Sequence, residues 1–91
     1  MKMFKVTRYD PEKRTVGSWY VIERHAREAL SRAPEGTRPV NHTVSTELEE
    51  DVLVRLVYDT GRGTLDQTLP VREWLDRFCC SGPQVFEAED G

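Results

Sequence analysis

The feature that most restricts the fold is a strict alternation of apolar and polar side chains through the middle of the chain. One face of the alternation carries Val40, His42, Val44, Thr46 and Leu48, then Val52, Val54, Leu56 and Tyr58. A third segment, residues 64–69, places Leu65 and Leu69 on one face. A period of two is the side-chain repeat of a β-strand, and short polar turns separate the three segments. The pattern predicts an antiparallel meander with one buried face.

Two strands are predicted before the meander. Residues 3–9 form the first, and a type I turn around Asp10-Pro11 allows residues 15–20 to return as the second arm of a hairpin. Ser18 allows an alternative, because a serine at that place could also cap a longer helix. The sequence leaves open whether residues 15–22 are a strand or the start of a helix.

Two helices are predicted from apolar stripes. The first begins at Ile22, and its stripe continues through Ala26, Ala29, Leu30 and Ala33 until Pro34 and Gly36 end it. The second begins at Pro70, carries Val71, Trp74, Leu75 and Phe78 on one face, and stops at Gly82-Pro83. In its last turn Cys79 lies at the border of the apolar face and Cys80 points away from it.

These elements predict an α+β domain of order ββαβββα, with an antiparallel sheet of about five strands and both helices packed on one face. The chain has 91 residues, a net charge of −3 and 37% hydrophobic residues, which suits one small folded domain. We expect that domain to span residues 1–86 and to be followed by a flexible acidic tail over residues 87–91.

Composition argues against several classes of protein. No apolar run approaches the roughly 20 residues that cross a bilayer, and residues 1–8 alternate charged with apolar side chains where a signal peptide needs a continuous apolar stretch. We therefore expect a cytoplasmic protein. The two cysteines are adjacent and the two histidines are wrongly spaced for zinc, so we expect no disulfide framework, no metal and no cofactor. With no catalytic triad or dyad either, the sequence favours a non-enzymatic protein.

One short motif suggests catalysis at first sight. Asp59-Thr60-Gly61 resembles the signature of aspartic proteases, in which two close carboxylates share one proton. Arg62 and Tyr58 depart from that family's pattern on either side. Aspartate and glycine are also the residues that a hairpin turn requires, and we interpret the motif as such a turn.

The distribution of charge suggests a function. Residues 39–91 carry eleven acidic residues against four basic ones, and four of the carboxylates cluster at one predicted turn: Glu47, Glu49, Glu50 and Asp51. We expect this acidic surface to dock on a basic surface of a protein or nucleoprotein target, which would make the chain an inhibitor or regulator. In size and charge it is similar to phage-encoded inhibitors, anti-CRISPR proteins included.

Two alternatives stay open. Residues 1–38 carry nine basic residues against five acidic ones, and Arg24, Arg27, Arg32 and Arg38 could form a nucleic-acid-binding face on the first helix, although Glu23 and Glu28 interrupt it. The chain could instead be an adaptor that completes a sheet by pairing through a strand edge. A homodimer is compatible with each of these functions.

Overall fold

The computed structural model describes residues 1–9, 16–32 and 42–88. Along these residues the chain forms β1 (Lys2–Tyr9), β2 (Val16–Glu23), α1 (Ala26–Arg32), β3 (His42–Glu47), β4 (Leu53–Asp59), β5 (Thr64–Pro70), α2 (Val71–Arg77) and β6 (Gln84–Glu87). The predicted α+β class with antiparallel pairing and two helices is confirmed. The strands form two sheets, one of four strands in the order β3-β1-β2-β6 and one made of β4 and β5.

The first two strands form the expected hairpin, which is longer than predicted. β1 and β2 pair from Lys2↔Glu23 to Tyr9↔Val16, and the predicted turn at residues 10–14 lies outside the described residues. The open question between a strand and a helix is answered by a strand over residues 16–22, whereas Thr15 lies outside the described residues. The predicted start of the first helix at Ile22 is wrong, because Ile22 pairs with Met3 and its side chain is fully buried in the sheet.

The predicted meander is only half correct. β4 and β5 form its hairpin, but β3 pairs antiparallel with β1 instead of β4. The reason lies in β1, which buries Met3 on one face of the sheet and Phe4 and Val6 on the other. A strand buried on both faces belongs at the centre of a sheet and needs a neighbour on each side. β3, whose Val44 is about half exposed, takes the edge position.

The two helices lie on opposite faces of the four-stranded sheet, so the prediction that both pack on one face is wrong. α1 buries Ala29 against Phe4, Val6 and Val21. The opposite face packs Met3, Ile22 and Phe86 against the β4–β5 hairpin and α2. Because side chains alternate along β1 and β2, each face of the sheet exposes an apolar row that a separate layer must cover.

The second helix has the predicted apolar face. Val71 and Trp74 are fully buried, and Leu75 and Phe78 pack against the same core. The Trp74 indole Nε1 donates a hydrogen bond of 2.8 Å to the Val54 carbonyl oxygen. α2 is thereby joined to the β4–β5 hairpin by a polar contact as well as by apolar packing.

The last strand is missing from the sequence-based prediction. β6 pairs with β2, and its Phe86 lies opposite Tyr20 with 7% of its surface exposed. Glu87, which we expected in the flexible tail, belongs to β6, and the Ala88 amide donates to the Ser18 carbonyl oxygen. Residues 89–91 lie outside the described residues.

Candidate docking surface

The acidic turn between β3 and β4 is held by backbone hydrogen bonds at both ends. The Leu48 amide donates to the Met3 carbonyl oxygen, and the Val52 amide donates to that of Glu49. From α2, the amides of Val71 and Arg72 donate to the carbonyl oxygens of Val52 and Glu50 at 2.9 and 3.0 Å. The turn is therefore fixed to both the central sheet and the second helix, and a partner would meet it in an ordered conformation.

The side chains of this turn combine charge with exposed apolar surface. Glu49, Glu50 and Asp51 are exposed and form no ion pair with another described residue. Directly after them Val52 is 38% exposed and Leu53 is 67% exposed. We call residues 49–53 the β3–β4 surface. An apolar centre beside a charged rim is the usual composition of a protein-binding surface.

Glu47, the fourth predicted acidic residue, is not part of this surface. It lies opposite Phe4 in the β1–β3 register, and its carboxylate forms an ion pair of 3.0 Å with the Lys2 ammonium. Both side chains of that pair are more than half exposed, so the pair contributes little to stability. It nevertheless offsets the charge that Glu47 would offer to a basic partner.

A shallow groove of about 570 Å³ continues from the β3–β4 surface along α2. Glu50 lies at its border with the surface, and Glu73 and Asp76 add two carboxylates from the helix. Met1 and Leu75 supply apolar walls, while Arg72 adds one positive charge. The groove thus extends the acidic character of the turn onto the second helix.

The predicted basic face is smaller than the sequence suggested. Arg24 and Arg27 are exposed, but the Arg32 Nε donates to the Glu23 Oε2 at 3.0 Å. Glu23 is almost fully buried. Hydrogen bonds to its carboxylate lower the pKa of this group, and the bond from the Arg24 backbone amide has the largest effect. Arg32 therefore holds α1 to the sheet. Arg38 lies outside the described residues.

The aspartate-threonine-glycine motif forms a hairpin turn, as predicted. The Asp59 Oδ1 accepts a hydrogen bond from the Gly61 amide, and the Thr60 amide and hydroxyl both donate to the Gly63 carbonyl oxygen. Gly61 and Gly63 have φ values of 84° and 134°, which favour glycine. These bonds account for each residue of the motif. In the described part of the chain, no group of three histidine, cysteine or acidic residues is placed to hold a metal ion.

The prediction that the cysteines lie in the last turn of the second helix is wrong, because that helix ends at Arg77 and both cysteines follow it. Both are exposed. Their sulfur atoms are 3.5 Å apart. The hydrogen bond and charge of Cys80, with a smaller effect from Asp76, raise the pKa of the Cys79 thiol.

Sequence reasoning found the carboxylates of the β3–β4 surface but missed its apolar residues. Val52 was assigned to the buried face of its strand, whereas it precedes β4 and is partly exposed. Leu53 falls on the outward face of the alternation, where a large apolar side chain is unexpected. A leucine at an outward position was the signal that could have located the surface from the sequence.

Comparison with protein-family models, with curated proteins and with solved structures finds no match to this chain. Among the described residues, neither helix has the length and hydropathy needed to cross a membrane. The function is therefore inferred from the chemistry of the chain's own surfaces.

Proposed function

We propose that this chain is a small cytoplasmic interaction protein that binds a protein or nucleoprotein target through the β3–β4 surface. The observation that carries the proposal is the 67% exposure of Leu53, two residues after three consecutive carboxylates that pair with no described cation. Exposing leucine to water is unfavourable, and burial against a partner would remove that cost. The partner would present an apolar contact flanked by lysine or arginine.

The fixed backbone of the turn favours this function. Binding orders any mobile segment at an entropic cost, and a turn already held by α2 and β1 avoids much of it. Three carboxylates also attract a basic partner during diffusional encounter. An inhibitor or regulator that occupies a basic groove of its target, of the phage-encoded type that this chain is similar to in size and charge, would have these properties.

Nucleic-acid binding through α1 is the second candidate, and one observation supports it. Arg24, two residues before α1, and Arg27, in its first turn, are both exposed. Against it stands the use of Arg32 in the contact with Glu23, which leaves Arg24 and Arg27 as the unengaged arginines of this face within the described residues. Affinity for a nucleic acid rises with the number of phosphates neutralised, so the engagement of Arg32 weakens this candidate.

The test compares variants of the two surfaces by affinity capture from cells of the native host, with and without nuclease. Glu49→Lys/Glu50→Lys/Asp51→Lys and, separately, Leu53→Ser should each lose the target that the wild-type chain captures. Arg24→Glu/Arg27→Glu reverses the charge of two residues on the opposite layer and serves as the control, which should keep the target. Circular dichroism establishes first that each variant is folded. Loss of the target only with the arginine variant, or only after nuclease treatment, would favour nucleic-acid binding.

A further inference from the structure

The adjacent thiols after α2 form a cluster that the proposed function does not use. Cys79 and Cys80 are both exposed, and their sulfur atoms are 3.5 Å apart. The turn that carries them is held by backbone hydrogen bonds. The Phe78 amide donates to the Trp74 carbonyl oxygen, and the Ser81 amide donates to that of Phe78, both at 3.0 Å. The two thiols thus project from an ordered turn.

This spacing matches what one ion requires of two sulfur ligands. A thiolate binds a soft ion at about 2.3 Å, so two thiolates on one ion lie about 3.3–3.8 Å apart at bond angles of about 90–110°. The observed 3.5 Å falls inside that range. The two thiols can therefore bind one ion with little change in the backbone.

The chemistry of the surroundings selects the class of ion. Sulfur ligands favour soft ions, whereas carboxylates and water favour hard ones. Among the described residues, no group of three histidine, cysteine or acidic side chains is placed to bind an ion here. Structural zinc needs three or four protein ligands, so this site does not fit zinc. We propose that Cys79 and Cys80 chelate a thiophilic metalloid that accepts two sulfur ligands at a bent angle, the class of trivalent arsenic.

The state of the thiols is compatible with chelation. The raised pKa of Cys79 keeps its thiol protonated at neutral pH, which slows attack on simple electrophiles. Chelation displaces the protons instead. With phenylarsine oxide, two thiols give two arsenic–sulfur bonds, and the two protons leave with the arsenic-bound oxygen as one water molecule. No oxidant or reductant is needed.

The probe is phenylarsine oxide, because it has two exchangeable positions and is retained strongly only by paired thiols. It is added to the intact chain in a buffer that contains a phosphine reductant, which keeps both thiols reduced. The product is analysed by mass spectrometry after gel filtration. We expect one arsenical per chain and loss of iodoacetamide labelling at both Cys79 and Cys80. Cys79→Ser and Cys80→Ser should each retain the arsenical at least about 100-fold more weakly, since a second, tethered contact raises binding by about that factor or more.

A variant with separated thiols is the matched control. Cys80→Ser/Ser81→Cys keeps two thiols in the same exposed turn but removes their adjacency, and it should release the arsenical faster than wild type. Equal retention by this variant or by either single variant would overturn the proposal, as would a wild-type chain that binds no arsenical while both thiols remain titratable. If a variant misfolds, peptide-level protection of both cysteines in the wild-type chain decides the question.

Discussion

Replacing Trp74 tests the packing that joins the two sheets. Its side chain is fully buried, its ring stacks on Phe78 with 6.1 Å between centroids, and its Nε1 bonds to the Val54 carbonyl oxygen. Trp74→Ala leaves a cavity in the core and should lower the free energy of unfolding by about 3–5 kcal/mol. Trp74→Phe keeps most of the apolar contact but removes the hydrogen bond to the Val54 carbonyl oxygen, at a cost of about 0.5–1.5 kcal/mol.

These losses are large for a chain of 91 residues, whose total stability is expected to be about 5–14 kcal/mol. Urea unfolding followed by far-ultraviolet circular dichroism measures them directly. Leu53→Ala is the control, because its side chain is 67% exposed and the change should stay within about 0.5 kcal/mol. A Trp74→Phe variant as stable as wild type would refute the role of the indole hydrogen bond, and a stable Trp74→Ala variant would refute the packing itself.

Two further changes test the other face of the sheet. Because the pKa of Glu23 is lowered in the folded chain, its contribution to stability is present above its usual value of 4.5 and is lost as pH falls through the folded pKa. Glu23→Gln should therefore be less stable than wild type at pH 7, by about 1–2 kcal/mol, and the difference should shrink in acid unfolding experiments. Gly17→Ala should cost about 1–3 kcal/mol and shift tryptophan fluorescence, because the added methyl group collides with the Trp19 ring.

Local sequence patterns predicted the helices, strands and turns better than they predicted which strands pair with each other. The stripe of α2 and the turn at Asp59–Gly63 depend on neighbouring residues, and both formed as predicted. The partner of β3 depends on β1, a strand about 40 residues away whose two buried faces require neighbours on both sides. Alternation within β3 carries no information about that requirement.

Two boundary errors have the same origin. Ile22 fits a helical stripe when residues 22–33 are considered alone, but pairing with β1 extends β2 through Glu23. β6 is a strand of four residues with only Phe86 buried, too short to produce a period-two signal in the sequence. The site was more accessible to sequence reasoning: its carboxylates were visible as a cluster, and the outward position of Leu53 in the alternation was the signal for its exposure.

The most direct test of the docking proposal is amide hydrogen exchange of the intact chain, free and bound to the target recovered by capture. If the β3–β4 surface is the contact, amides of residues 49–53 and the start of α2 should exchange more slowly in the complex, while α1 and β3 should be unchanged. Protection confined to α1, or to the edge strand β3, with residues 49–53 exchanging as in the free chain, would contradict the proposal.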